Sequence, residues 1–228
     1  MINRDEQRLT MADLFKPDDD SAFVLRVIAA ANDVRSSVRV FASARSQEVK
    51  GSMRRSEIDG DQFYSFRLTI THLQELRDFL ANNRRKPKHP HKQFFATRTS
   101  PEAAAAKAMI EELIEMLQKA PLGRLLEHVR HGMGAHYDHR RVLSALRDLD
   151  LEKEPITFSD ANWIEQHWDA TDVIFWESIA GRVHKLFGGA DREEALGLAM
   201  DAVANAGART FSCADALMAL LYDENAVP

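Results

Sequence analysis

Apolar residues recur at three- and four-residue intervals along most of this chain, a spacing that predicts helix nearly everywhere. Between Ser21 and Ala44 the positions Val24, Val27, Ile28, Ala31, Val34, Val38 and Phe41 fall on one helical face. The β-branched content of this stretch favours a strand, but its spacing and length decide for a long helix. Ser21 stands where an N-cap would, just after Asp18-Asp19-Asp20, whose charge suits the positive end of the helix dipole. Gln47–Asp61 is polar, holds Gly51 and Gly60, and reads as a loop. Phe63, Phe66, Ile70, Leu73, Leu76 and Leu80 then define a second amphipathic helix, about Asp61–Asn82. Asn83–Arg98, with Pro87 and Pro90, reads as a connector in which His89 and His91 are exposed.

Ser100-Pro101-Glu102 is a helix start, with a cap followed by Pro at the first helical position. That helix carries Ala106, Ile110, Leu113 and Leu117 and ends at Pro121. Leu122–Arg130 continues as a short helix, and Gly132 and Gly134 interrupt the pattern. Helix resumes at about Ala135–Leu149. The longest segment, about Asp160–Phe187, is capped by Ser159 or Asp160 and stopped by Gly188-Gly189. Asp191 with Glu194 forms a capping box for Arg192–Ala206, with Gly207 as its left-handed C-terminal cap. Ser212 with Asp215 repeats the device for a last helix, to about Tyr222. The predicted fold is all-α: an antiparallel helical bundle with additional C-terminal helices. Residues 1–150 form its core, and residues 151–228 form an acidic helical extension packed on the same domain.

Composition narrows the class. With 45% hydrophobic and 29% charged residues the chain has a globular composition, not a disordered one. Cys213 is the single cysteine, so no internal disulfide is available and a reducing, cytoplasmic setting is expected. Arg4 and Arg8 lead into no apolar run, so no secretory signal is read, and no apolar stretch approaches the ~20 residues of a membrane helix. A Walker loop, a G-x-G-x-x-G after a strand and a G-x-S-x-G are all absent from the sequence.

The net charge of -5 is unevenly spread. Met1–Arg147 holds 25 basic and 19 acidic residues, a balance of +6; Asp148–Pro228 holds 5 and 16, a balance of -11. A polyanion would be drawn to the first part and repelled by the second. The connector contributes Arg84, Arg85, Lys86, Lys88, Lys92 and Arg98 with no acid among them. It fits either a loop that touches a phosphate backbone or a solvated linker.

Four of the 9 histidines, His128, His131, His136 and His139, crowd around Gly132 and Gly134. A pair of glycines is entropically costly and suggests a backbone shape that other residues cannot supply. His titrates near neutrality and can move a proton, while Arg keeps its charge and offers a planar fork to phosphate oxygens. Arg130 and His136 are therefore suited to a phosphodiester, without a metal if the RNA 2′-hydroxyl is the nucleophile. On a continuous helix six residues leave them about 120° apart, so a break at the glycines or a second chain would have to bring them together.

The run Arg130-His131-Gly132-Met133-Gly134-Ala135-His136-Tyr137-Asp138 resembles the R-x4–6-H motif of the HEPN superfamily, the higher eukaryotes and prokaryotes nucleotide-binding domain. Arg130, Ala135, His136 and Asp138 match the R-[DN]-x-x-x-A-H-x-D form of abortive-infection HEPN proteins. The aromatic-rich segment Phe63–Leu76 also looks like a helix of those proteins, and the resemblance covers about Ser21–Leu149. It implies a bundle that forms a homodimer, with Arg130 stabilising the scissile phosphate and His136 transferring a proton in a shared cleft. It further implies a metal-independent endoribonuclease or RNA-binding protein, with RNA and an antitoxin as partners and no cofactor. His131, Tyr137, Asp138 and Arg140 would support the site. His131 departs from the Asp or Asn usual at that position.

Two other readings stand beside this one. His128 with His131 and His136 with His139 are two i, i+3 pairs that, with Asp138 or Glu127, could hold a divalent metal. Alternatively the chain is a non-enzymatic helical module, with Trp163, Trp168 and Trp176 as core or partner surface and the histidines solvated. His72, His167 and His184 lie on predicted helices as surface or satisfied core residues, and Cys213 reads as a small hydrophobe.

Overall fold

A computed structural model describes residues 15–45, 52–81, 89–132 and 181–225. The helices are α1 (Asp19–Arg45), α2 (Ser52–Ala81), α3 (Pro90–Ala96), α4 (Pro101–Gln118), α5 (Leu122–Gly132) and α6 (Arg192–Asn225). Residues 181–187 are also helical, and no strand occurs among the described residues. The fold is all-α, as the periodicity predicts.

α1 lies between α2 and α6 and also touches α3. Val24, Val27, Ala31 and Val34, four members of the predicted stripe, are buried in that position. Phe23 meets Phe79 with ring centroids 5.8 Å apart, and ten residues further along α1 Asp33 approaches His72, seven residues earlier in α2. The two helices are therefore antiparallel. α1 and α6 are antiparallel as well: Val34 packs beside Gly207, while Asp20 and Glu224 meet at Arg98. α4 supplies Ile110, Leu113, Ile114 and Leu117 to the same core and packs against α2, α5 and α6.

Several local expectations are corrected. The N-cap of α1 is Asp18, not Ser21: the Ser21 N–H donates to Asp18 Oδ1 at 2.8 Å, and Ser21 Oγ accepts from the Lys16 N–H at 2.9 Å. The carboxylate accepts from the backbone and the hydroxyl reaches back, so the acidic run provides the cap as well as the dipole charge. α2 begins at Ser52, within the stretch read as a loop, and passes through Gly60. A glycine weakens a helix by about 1 kcal/mol but keeps its N–H, whereas a proline would break it, and this stretch has none. The Ser100 cap is present, its side chain accepting from the Ala103 N–H at 3.1 Å with Pro101 in the first turn.

The connector is corrected more strongly. Residues 82–88 lie outside the described ones, but Pro90–Ala96 is a helix whose His91, Phe94 and Phe95 are buried. His89 and His91 are buried at 4% and 1% exposure, not solvated. Phe94 is the reason: it stands 5.2 Å from Phe23 and 4.9 Å from Phe95, so sealing the aromatic cluster draws both histidines inward. Arg98, read as a linker base, is engaged. It donates to Asp20 Oδ2 at 2.7 Å, to Glu224 Oε1 at 2.7 Å and to the Phe94 carbonyl, and its guanidinium sits 3.9 Å from the Phe94 ring centroid. Burial pulls its pKa down, but the hydrogen bonds it donates to Glu224 and Asp20 outweigh that and leave it raised.

At the C-terminal end the Asp191 cap is present: the Glu194 N–H donates to Asp191 Oδ1 at 2.9 Å. Gly188 and Gly189 have φ of 73° and 113°, the left-handed region that stops the preceding helix. Gly207 is no cap. α6 runs unbroken through it for 34 residues, and Ser212 donates to the Ala208 carbonyl from mid-helix. A Cβ on Gly207 would stand 3.1 Å from Val34 Cγ1, so the glycine serves close approach of α6 to α1. Of the segment Asp160–Phe187 only residues 181–187 are described, and they are helical.

Gly207→Leu is expected to lower unfolding free energy by about 1–3 kcal/mol through overpacking against Val34, measured by urea denaturation. An unchanged midpoint would refute the close-contact role. Asp18, whose pKa is held down chiefly by the Ser21 backbone hydrogen bond, stabilises α1 above the usual carboxylate range and loses that effect as pH falls through its lowered value. Asp18→Ala should therefore lower Tm at pH 7, with the difference from wild type shrinking in strong acid. A difference that persists in acid would show that the side chain acts by something other than its charge.

Candidate functional site

The motif begins on α5, so the anchoring of that helix is the first question. α5 buries Leu122, Leu125 and Leu126, which seat it on α2 and α4. Its i, i+3, i+4 spacing gives a narrow apolar face and leaves the opposite face polar. Arg77 of α2 fixes the helix from the side. Its Nη1 donates to the Gly123 carbonyl at 2.9 Å, and its Nη2 lies 3.5 Å from Glu127 Oε1. The Arg77 side chain is only 12% exposed, which strengthens both interactions relative to bulk water.

Arg130 lies on the last described turn of α5, three residues after Glu127. Seven residues from Gly123 bring the helix round by about 700°, so Gly123, Glu127 and Arg130 share a face of the helix. His131 is the next backbone position, and α5 is described as far as Gly132. His136, Tyr137, Asp138, His139 and Arg140 lie outside the described residues, as do Arg84, Arg85, Lys86 and Lys88. His128 is half-buried on α5, and Lys92 is exposed on α3. Among the described residues, no group of three or more His, Cys, Asp or Glu is placed to hold a metal ion. Nor is any helix among them long and apolar enough to cross a membrane.

A second polar cluster, missed by sequence reasoning, lies between α1 and α2. Arg26 and Asp33 of α1 face His72, Glu75 and Phe79 of α2 across a groove. Arg26 stacks 3.8 Å from the Phe79 ring centroid, and His72 Nδ1 stands 3.9 Å from both Asp33 Oδ2 and Glu75 Oε2. His72, expected as a surface or satisfied core residue, is half-buried, and its Nδ1 is buried without a hydrogen bond. The available signal was positional. Arg26 and Asp33 are seven apart, as are His72 and Phe79, so each pair marks one helical stripe.

Elsewhere, Cys213 is buried in α6, and burial pushes its thiol up to about 11 despite nearby Arg209. It is a packing residue and not a nucleophile. What the described residues define is a class, an antiparallel all-α bundle. No family model, curated protein or solved structure matches the chain.

Arg77→Met keeps much of the side-chain volume but removes the donor to Gly123 and the charge facing Glu127. Hydrogen exchange of α5 amides is expected to quicken by about tenfold, the equivalent of one hydrogen bond to a charged group, while α4 and α6 keep their protection. Equal loss of protection in all helices would mean that Arg77 holds the whole bundle and not α5.

Proposed function

We propose that this chain is a HEPN-like, metal-independent RNA-cleaving or RNA-binding protein that works as a homodimer. The carrying observation is the R-x5-H spacing of Arg130 and His136, which begins on the last described turn of a helix anchored by Arg77. The all-α antiparallel bundle is the architecture that this resemblance implies. A fixed helix end suits a phosphate-binding arginine, because catalysis rewards groups already held where charge develops.

In the proposed reaction the RNA 2′-hydroxyl attacks the adjacent phosphorus and the 5′-oxygen leaves. His136 moves a proton to or from the reacting oxygens, and Arg130 stabilises the charge gathering on the phosphate. The products are a 2′,3′-cyclic phosphate and a 5′-hydroxyl, and no water or metal enters that step. Tyr137 and Asp138 orient His136, with His131 and Arg140 beside it. Arg84, Arg85, Lys86, Lys88 and Lys92 attract the RNA backbone, which makes binding salt-dependent. Such an activity belongs to a defence or toxin–antitoxin system, with an antitoxin as the restraining partner.

Cleavage of a mixed RNA pool in EDTA tests the reading. Wild type is expected to leave cyclic-phosphate ends, and Arg130→Ala and His136→Ala each to cut at least about 100-fold more slowly with unchanged circular dichroism. Activity surviving both substitutions would remove these residues from the site, and activity abolished by EDTA would favour a metal.

A further inference from the structure

Two carboxylates lie beside Arg77. Its Nη2 is 3.5 Å from Glu127 Oε1 on α5 and 3.9 Å from Asp78 Oδ1 on its own helix. That Asp78 oxygen already accepts from Gln74 Nε2 at 2.9 Å, and Gln74 is buried at 3% exposure. The buried amide ties Asp78 down along α2. The Arg77 guanidinium is tied as well, by its Nη1 bond to the Gly123 carbonyl one turn before Glu127. It is thereby turned towards Glu127, whose side chain is 58% exposed.

Glu127 stands three residues before Arg130 on α5, a spacing at which a glutamate and an arginine attract each other along a helix. A carboxylate there works against phosphate binding in two ways. It competes for the arginine, and it repels the incoming anion. Arg77 is the better partner for that carboxylate. Its side chain is 12% exposed and already held, so pairing costs little further conformational freedom and is screened less than in open water. A pair along one helix orders two long side chains, which offsets most of its attraction.

We propose that Arg77 is a positioning residue of the phosphate site: by holding Glu127 it keeps a carboxylate from competing with RNA phosphate for Arg130. The proposal rests on the reading of Arg130 as the phosphate-binding arginine. It gives the guanidinium that anchors α5 a second, electrostatic task. The consequence is a coupling between two residues. Loss of Arg77 weakens RNA binding because Glu127 is set free, so removing the Glu127 charge as well returns what was lost.

Binding of a single-stranded 2′-O-methyl RNA of mixed sequence, which lacks the attacking hydroxyl, reads affinity without cleavage. By fluorescence anisotropy at about 50 mM salt, Arg77→Met and Arg77→Gln should each weaken binding by about threefold to fivefold, with unchanged circular dichroism. The loss should shrink at about 300 mM salt. Arg77→Gln keeps a donor for the Gly123 carbonyl, which separates charge from anchoring. Adding Glu127→Gln to either variant should bring affinity back to within about twofold of wild type, while Glu127→Gln alone strengthens binding by no more than about twofold. A purely structural role would leave the double variants as weak as the single ones. Direct contact of Arg77 with RNA would make the Glu127→Gln effect equal in both backgrounds. Either result, or unchanged affinity in both Arg77 variants, overturns the proposal. Wild-type affinity in Arg130→Ala, or no RNA binding at all, overturns instead the reading of the phosphate site on which it rests.

Discussion

The structure depends on burial of one stripe of α1. Val24, Val27, Ala31 and Val34 are withdrawn from water by α2 on one side and α6 on the other. A fully buried valine contributes about 1.5–3 kcal/mol, and no disulfide stands in reserve among the described residues. Each neighbour then brings another element. Phe23 and Phe94 pack α3 onto α1, α2 carries α5 through Arg77, and α4, with Ile110 and Leu113 buried, packs against α6. The small residues on this stripe matter as much as the large ones. Ala31 and Gly207 belong to a helix pair close enough that one more methyl would touch Val34.

Charge closes the bundle where apolar packing stops. Arg98 joins the start of α1, the end of α3 and the end of α6 by way of Asp20, the Phe94 carbonyl and Glu224. A partly buried guanidinium is costly unless its donors are satisfied, and here the fork is matched on both edges. Arg209 and Glu112 make a similar link between α6 and α4. These pairs alter the meaning of the charge asymmetry. Glu224 of the acidic C-terminal segment is matched by Arg98 of the first part, while Arg209 of that segment is matched by Glu112 of the first part. The field presented to a polyanion is therefore not the simple difference between two halves of the sequence.

The Arg130 segment and the α1–α2 groove differ in how they can be recognised. The Arg130 segment is legible because an arginine, a histidine and paired glycines at short spacing form a local pattern. Its helix is anchored by Arg77, and the proposed RNA cleavage rests on the motif. The α1–α2 groove has no local pattern. Asp33 and His72 are 39 residues apart in sequence, and their meeting follows only from the antiparallel register of two long helices. Nothing in either stretch alone marks its charged residues as more than a solvated helix face.

Helical periodicity by itself determined the class of fold, the buried stripe of α1, the apolar positions of α2 from Phe66 onward and the Ser100 and Asp191 caps. Those features depend on neighbours three or four residues away, which the sequence displays directly. Breaks were less legible, because Gly60, Gly207 and Ser212 are weak local signals that packing can overrule. The histidines at the start of α3 followed the same rule: His89, just before the helix, and His91 within it are polar residues in a proline-rich stretch, yet both are buried with Phe94 and Phe95. Tertiary structure alone decided these cases, since burying two aromatic rings outweighs the local preference for solvent. It also decided that Gly207 is a point of contact and not an end, because only the position of Val34 on another helix makes the absence of a side chain useful there.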